Sequence, residues 1–220
     1  MGSRIVISNQ DGLNDKLDEV VQKHLASAFR KPYQQHTVDA FEAVEAWRRE
    51  KGAERPLVLD SCCGVGDSTA RLALRHPEAL VIGVDKSAHR INKHQHYASG
   101  RDNYLVVQAD LDDFWRLGLD AGWRLDHHYL LYPNPWPKAK HLQRRWHGGP
   151  TFPHILALGG ALELRSNWQT YVLEFARALA LAGVDSRVQP VPEGEPITPF
   201  ERKYQDSGQA CWQLLATLAR

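Results

Sequence analysis

Three aspartates each close an apolar run: Asp60 ends 57–60, Asp85 ends 80–85 and Asp110 ends 104–110. Carboxylates at successive strand ends are acceptors for a ligand that carries hydroxyls, an amine or a positive charge. Between the first two runs lies a tight turn, 60–66, with Cys62, Gly64 and Gly66. A fourth polar group, Asn134, stands in the stretch 132–147, which reads YPNPWPKAKHLQRRWH. Pro133, Pro135 and Pro137 exclude a helix or a central strand there, so the stretch is a stiff loop. It carries the cations Lys138, Lys140, Arg144 and Arg145, and no Asp or Glu occurs from Pro133 to Leu162. A solvated surface ordinarily mixes signs, so a one-sign rim reads as a track for phosphates. Trp136 suits a base-stacking platform and a core position equally well.

The elements that must hold these groups alternate along the chain. Apolar runs predict strands at 57–60, 80–85, 104–110, 127–132, 160–166 and 186–191, with another at 209–216. Helical spacing predicts helices at 15–28, 37–52, 67–76, 87–99, 112–119, 150–158 and 168–182. Thr37, Asn167 and either Asp67 or Ser68 are the expected N-caps, and Gly52 and Gly183 the expected stops. The pattern is that of an α/β protein: a mostly parallel sheet with helices on both faces, in three layers. In such sheets ligands bind beyond the carboxyl ends of the strands, where Asp60, Asp85, Asp110 and Asn134 fall. Residues 1–52 read as an N-terminal helical extension and 53–220 as one domain. The loop 30–36, with Arg30 and Lys31, reads as a solvated linker.

Composition narrows the class. A net charge of +1 over 220 residues says nothing global about partners, so a nucleic-acid argument rests on local charge. Cys62, Cys63 and Cys211 offer no disulfide framework or zinc spacing. No apolar run reaches the length of a membrane span and no signal pattern opens the chain, so a cytoplasmic protein with reduced thiols is expected. His127 and His128 are neighbours in a strand and point to opposite faces, which favours packing over metal binding. Cys63 has no evident cation beside it and is expected to be inert.

The glycine turn selects among nucleotides. Counted onto a dinucleotide fingerprint, the three glycine positions hold Cys62, Gly64 and Asp67. A carboxylate at a helix N-terminus repels a pyrophosphate. A ligand with an adenosine and a cationic centre but no phosphate fits better, and S-adenosylmethionine is one. Asp60 is placed for its ammonium, Asp85 for the ribose hydroxyls and Asp110 for the adenine amine.

Here the residues resemble a known family. Residues 57–110 are similar to class I S-adenosylmethionine-dependent methyltransferases, with a Rossmann-like sheet. The loop 132–147 resembles the (F/Y)PDPWPK-x-(R/K)H-x-(K/R)RR signature of bacterial tRNA (guanine-N7)-methyltransferases. Residues 162–168 resemble that family's strand ending in T-D-W, and 198–203 with Gly208 its T-x-(F/Y)-E-x-(K/R)…G element. The resemblance implies methyl transfer to N7 of a guanosine in tRNA or another structured RNA, by a monomer or homodimer. It implies that Asp60, Cys62, Gly64, Gly66, Asp85 and Asp110 hold the cofactor and that Asn134 occupies the catalytic position. Lys138, Asn167, Thr198, Phe200 and Glu201 would line the guanosine pocket, with Lys140, Arg144 and Arg145 on the RNA backbone. This chain departs from the pattern where the family has a glycine (Cys62) and two aspartates (Asn134, Asn167). The departures keep two alternatives in view: a methyltransferase for exocyclic amines, whose loop has the form (N/D)-P-P-(Y/F/W), and a non-catalytic RNA-binding subunit on the same fold.

Overall fold

A computed structural model describes residues 3–219. Seven strands form one sheet in the order β3-β2-β1-β4-β5-β7-β6. They are β1 (Leu57–Ser61), β2 (Leu80–Asp85), β3 (Tyr104–Gln108), β4 (His127–Leu131), β5 (Gly160–Ser166), β6 (Ser186–Pro190) and β7 (Trp212–Leu218). The first five pair in parallel, while β7 runs antiparallel to both β5 and β6. The central strands β1 and β2 are buried along their whole length, which is why they read as unbroken apolar runs. Strand β5 alternates, sending Leu162 and Leu164 into the larger core and Glu163 and Arg165 to the other face.

Helices cover the sheet as α1 (Leu17–Leu25), α2 (Gln35–Lys51), α3 (Asp67–Arg75), α4 (Ala88–Ile91), α5 (Leu111–Asp120), α6 (Phe152–Leu158), α7 (Gln169–Leu181) and α8 (Pro199–Asp206). On one face α5, α6 and α7 close the larger core, and Leu17 and Val21 of α1 with Phe41 and Val44 of α2 join it. On the other, α3 packs Leu72 and Ala73 against Val58 and Val81. No described helix is long and apolar enough to cross a membrane.

Several expectations are corrected. The helix expected at 87–99 stops at Ile91, and a single 3-10 turn follows at His94–His96. That stretch lacks an apolar stripe, and its His94 ring instead bonds the Val65 carbonyl and the Tyr104 hydroxyl, 3.0 Å from each. Thr37 lies inside α2 and accepts a bond from the Asp110 N–H at 3.1 Å rather than capping the helix. Trp168, not Asn167, stands at the N-cap position of α7, and Gly66 at that of α3. Helix α8 was not expected at all. The loop 30–36 is held: the Lys31 carbonyl accepts from Arg116, whose guanidinium lies 4.3 Å over the Tyr33 ring. His128 and His127 do part to opposite faces. His128 is buried and bonded to Ser61, and burial drives its pKa down to about 3; His127 stacks with Tyr129.

Candidate active site

Because β1, β2, β4 and β5 are parallel, their carboxyl ends bring Asp60, Asp85, Asn134 and Asn167 to one edge of the sheet. Asp60 is fully enclosed at 0% exposure. The hydroxyls of Ser68 and Thr69 donate to its Oδ2 at 2.6 and 2.7 Å, while Oδ1 has no partner. Gly83, across from Asp60 on β2, makes this possible: a Cβ there would stand 2.2 Å from Thr69 Oγ1. Burial raises the Asp60 carboxyl to about 6, against the two hydroxyl bonds that lower it. Asp85 ties the turn to β2, accepting from the Ser87 N–H at 2.8 Å and the Gly64 N–H at 3.1 Å. Asp110 caps α5, its Oδ1 accepting from the Asp112 N–H.

The two glycines of the turn differ. Both take left-handed backbone, but a Cβ on Gly64 would meet nothing within 4 Å, whereas one on Gly66 would strike His94 at 2.5 Å. Gly64 leaves the open approach a ligand needs, and Gly66 lets the turn pack against His94. Burial pushes the Cys62 and Cys63 thiols up, Cys62 to about 12, which disfavours the thiolate form of both.

The loop after β4 is strained at two points, with φ of +52° at Tyr132 and +44° at Trp136. Asn134 is exposed between them, and its Oδ1 accepts from the Trp136 N–H at 3.3 Å, an Asx turn. Lys138, Lys140 and Arg144 are exposed, as a phosphate track requires. Trp136 is half-buried, with the Arg144 guanidinium 4.7 Å over its ring and His141 against its edge.

Arg145 is the clearest correction. Expected on the RNA backbone, it is fully buried and 2.5 Å from Glu174 of α7. Its remaining N–H groups donate to the carbonyls of Trp136 and Lys138 and to Gln10 Oε1, all at 3.1–3.2 Å. The physical reason is the prolines. A loop that cannot pair in a helix or sheet leaves carbonyls to be satisfied, and a guanidinium fork reaches several at once. Glu174 in turn accepts from Gln10, the Asn14 N–H and His147 at 2.6, 2.8 and 2.9 Å. The N-terminal segment thus straps the loop from outside: Ser8 donates to the Pro137 carbonyl, and Asn9 and Asn14 bond the Ala139 N–H and carbonyl. Sequence reading missed this segment. The one available signal was Glu174, placed on the apolar stripe of α7 between Tyr171 and Ala178.

Across the cleft, Thr198 caps α8, its Oγ1 accepting from the Glu201 N–H at 2.9 Å. Glu201 is 1% exposed and both its oxygens accept from Arg165, at 2.9 and 3.1 Å. Its carboxylate thereby anchors α8 to β5 through Arg165. Phe200 is exposed at 42% and stacks on Tyr204, and Asn167 Nδ2 donates to Gln209.

Residues 54–214 match the family described as "Putative methyltransferase" (Methyltransf_4). A tRNA (guanine-N(7)-)-methyltransferase of Leifsonia xyli is 30% identical over 74% of this chain and 76% of its own length. One from Saccharophagus degradans is 27% identical over 86% and 87%. The chain belongs to the tRNA (guanine-N7)-methyltransferase family. Solved structures extend the fold comparison. The 16S rRNA methyltransferase KamB superposes with a TM-score of 0.60 at 18% identity, over 86% of this chain and 96% of that one. A 16S rRNA (adenine(1408)-N(1))-methyltransferase of Catenulisporales acidiphilia, solved with S-adenosylmethionine, gives 0.55 at 20% identity, over 80% and 91%.

As a member of this family the chain is an S-adenosylmethionine-dependent methyltransferase, and its residues fit that cofactor. The unpartnered, buried Asp60 Oδ1 is the acceptor a cationic group would complete, and the open side of Gly64 leaves room above the turn. Two departures from the methyltransferase family's pattern acquire a physical description. Cys62 holds φ of +64°, a conformation that glycine takes freely and cysteine only with strain. Asn134 keeps an acceptor where the family has a carboxylate but carries no charge.

Proposed function

We propose that this chain methylates N7 of a guanosine in tRNA. The observation that carries the reading is the exposed cationic loop 134–144, rigidly tied down and set beside the cofactor end of the sheet. S-adenosylmethionine supplies, when bound, an electrophilic methyl group on a positively charged sulfur. Guanine N7 has an in-plane lone pair and no proton, so the chain need not provide a general base. Its task is alignment and exclusion of water. Asp60 and Asp85 would hold the cofactor's charged and hydroxyl-bearing ends. Asn134 Oδ1 has a second lone pair besides the one given to Trp136, enough to accept one N–H from the guanine edge. Lys138, Lys140 and Arg144 would neutralise flanking phosphates, and the exposed Phe200 ring is available to a stacked base.

Incubation with labelled S-adenosylmethionine and total tRNA tests this directly. Label in tRNA that is released by borohydride–aniline cleavage is expected. Label that resists cleavage moves the assignment to another base atom, such as an exocyclic amine. Tight tRNA binding without label would leave an RNA-binding subunit instead.

A further inference from the structure

The loop after β4 is one of two acid-free cationic segments at the cleft. Residues 86–101 read KSAHRINKHQHYASGR and contain no Asp or Glu. With 26 acidic residues in 220, a stretch of this length would ordinarily carry about two. Lys86, His89, Arg90, Lys93, His96 and Arg101 are all exposed, and so is Tyr97. Lys86 and Lys93 form no ion pair among the described residues. The nearest acids are already engaged: Asp85 is buried and bonded to the glycine turn, and Asp102 pairs with Lys51 at 3.3 Å.

The position of this segment matters as much as its charge. It leaves the carboxyl end of β2, while the proline loop leaves that of β4, and β1 with its glycine turn lies between them. Two strand spacings separate the two exits, about 10 Å, roughly the width of one nucleotide. His94 fastens the segment to the turn through the Val65 carbonyl, and Arg90 reaches to 6.0 Å from the exposed Phe200 ring on the far wall. A small-molecule methyltransferase has no use for cations on both flanks of its cleft.

We infer that residues 86–101 form a second phosphate-binding wall, so that the RNA strand is gripped on both sides of the nucleotide that enters the cleft. Lys86 and Lys93 carry the wall; Arg90, 3.5 Å from Asp85, couples it to the cofactor end. The inference rests on the RNA reading above, and its test separates the two.

The Lys86→Ala/Lys93→Ala variant is compared with wild type and with Arg124→Ala/Arg187→Ala, which removes two exposed charges near the opposite strand ends. Binding of tRNA is measured across a salt series, and S-adenosylmethionine binding by calorimetry. The lysine variant is expected to bind tRNA several-fold more weakly, with the slope of log affinity against log salt shallower by about 1.5, while cofactor affinity stays within about twofold. Lys93→Glu, which changes the local charge by the same two units, should weaken binding to a similar degree, also without loss of cofactor affinity. An unchanged slope, or an equal loss in the control pair, overturns the second wall while leaving the RNA reading intact. Failure of the wild-type protein to bind tRNA at all overturns the RNA reading itself.

Discussion

Arg145 and Glu174 form an ion pair 2.5 Å long with no exposure on either side chain, and it joins the proline loop to α7. Burial alone would raise the Glu174 carboxyl; the bonds from His147 and Arg145 outweigh it and hold the carboxyl down at about 2. His147 is itself pushed down by burial, against its bond to Glu174, which pulls the other way. Replacing Glu174 with Gln leaves an uncompensated guanidinium in the interior, and unfolding in urea should show a loss of about 3–5 kcal/mol. The pH dependence follows from a depressed folded-state pKa. The contribution is present above the ordinary glutamate range and is lost as pH falls from about 4.5 towards 2. Acid unfolding of the Glu174→Gln variant should accordingly be less steep than that of wild type over that window.

Asp60 has the opposite sign. Its folded-state pKa of about 6 lies above the ordinary 3.8, so the free protein loses stability as pH rises through this range. Asp60→Asn should therefore stabilise the cofactor-free protein at pH 7 by on the order of 1–3 kcal/mol, read as a higher melting temperature. If Asp60 holds the cofactor's positive charge as proposed, the same substitution should weaken S-adenosylmethionine binding at least about tenfold. Wild-type affinity should fall about tenfold from pH 7 to pH 5 as Asp60 protonates, and the variant's should not. Calorimetry at both pH values checks each outcome.

Cys62 stands in left-handed backbone at φ +64° without the freedom of glycine. Cys62→Gly is expected to be neutral or to stabilise by up to about 1 kcal/mol, relief of strain being offset by the greater entropy of an unfolded glycine. Cys62→Val should cost about 1–3 kcal/mol, since a β-branched residue is poorly tolerated there. Thermal melts of the pair decide the matter, and equal melting points would argue against backbone strain as the cause.

Asn134 is one substitution from the family's aspartate. Asn134→Asp should speed methyl transfer to tRNA by about 5- to 30-fold, the effect of adding a charge-assisted hydrogen bond worth about 1–2 kcal/mol. Asn134→Ala should slow it. Initial rates with labelled S-adenosylmethionine provide the measurement, and a slower Asp variant would show that the amide is tuned to a different base atom.

The parts of this molecule legible in its sequence are those where a single run of residues decides the outcome. Strands β1 and β2 were visible because both faces are buried, and Asp60 and Asp85 because each interrupts such a run. Helix α8 escapes a reading by periodicity although Thr198, Pro199 and Glu201 form a helix-start signature, because α8 buries little besides Glu201 and so has no apolar stripe. The role of Arg145 could not be separated from that of Arg144 by inspection. Adjacent arginines look alike until a partner 29 residues away, Glu174, draws one of them inside. The strap formed by Ser8, Asn9, Gln10 and Asn14 has neither period nor charge, and only its bonds to the folded loop distinguish it.

The placement of β1 between β2 and β4 has a kinetic consequence. Strand β2 follows β1 closely, whereas the Ser61–His128 bond that accompanies β4 spans 67 residues. The half of the cleft built on β1 and β2 therefore closes a short loop, and the half carrying Asn134 must wait for a distant segment to arrive. A ligand that touches both halves gains its full contacts only after that late step. It should lengthen the lifetime of the folded protein far more than it hastens folding.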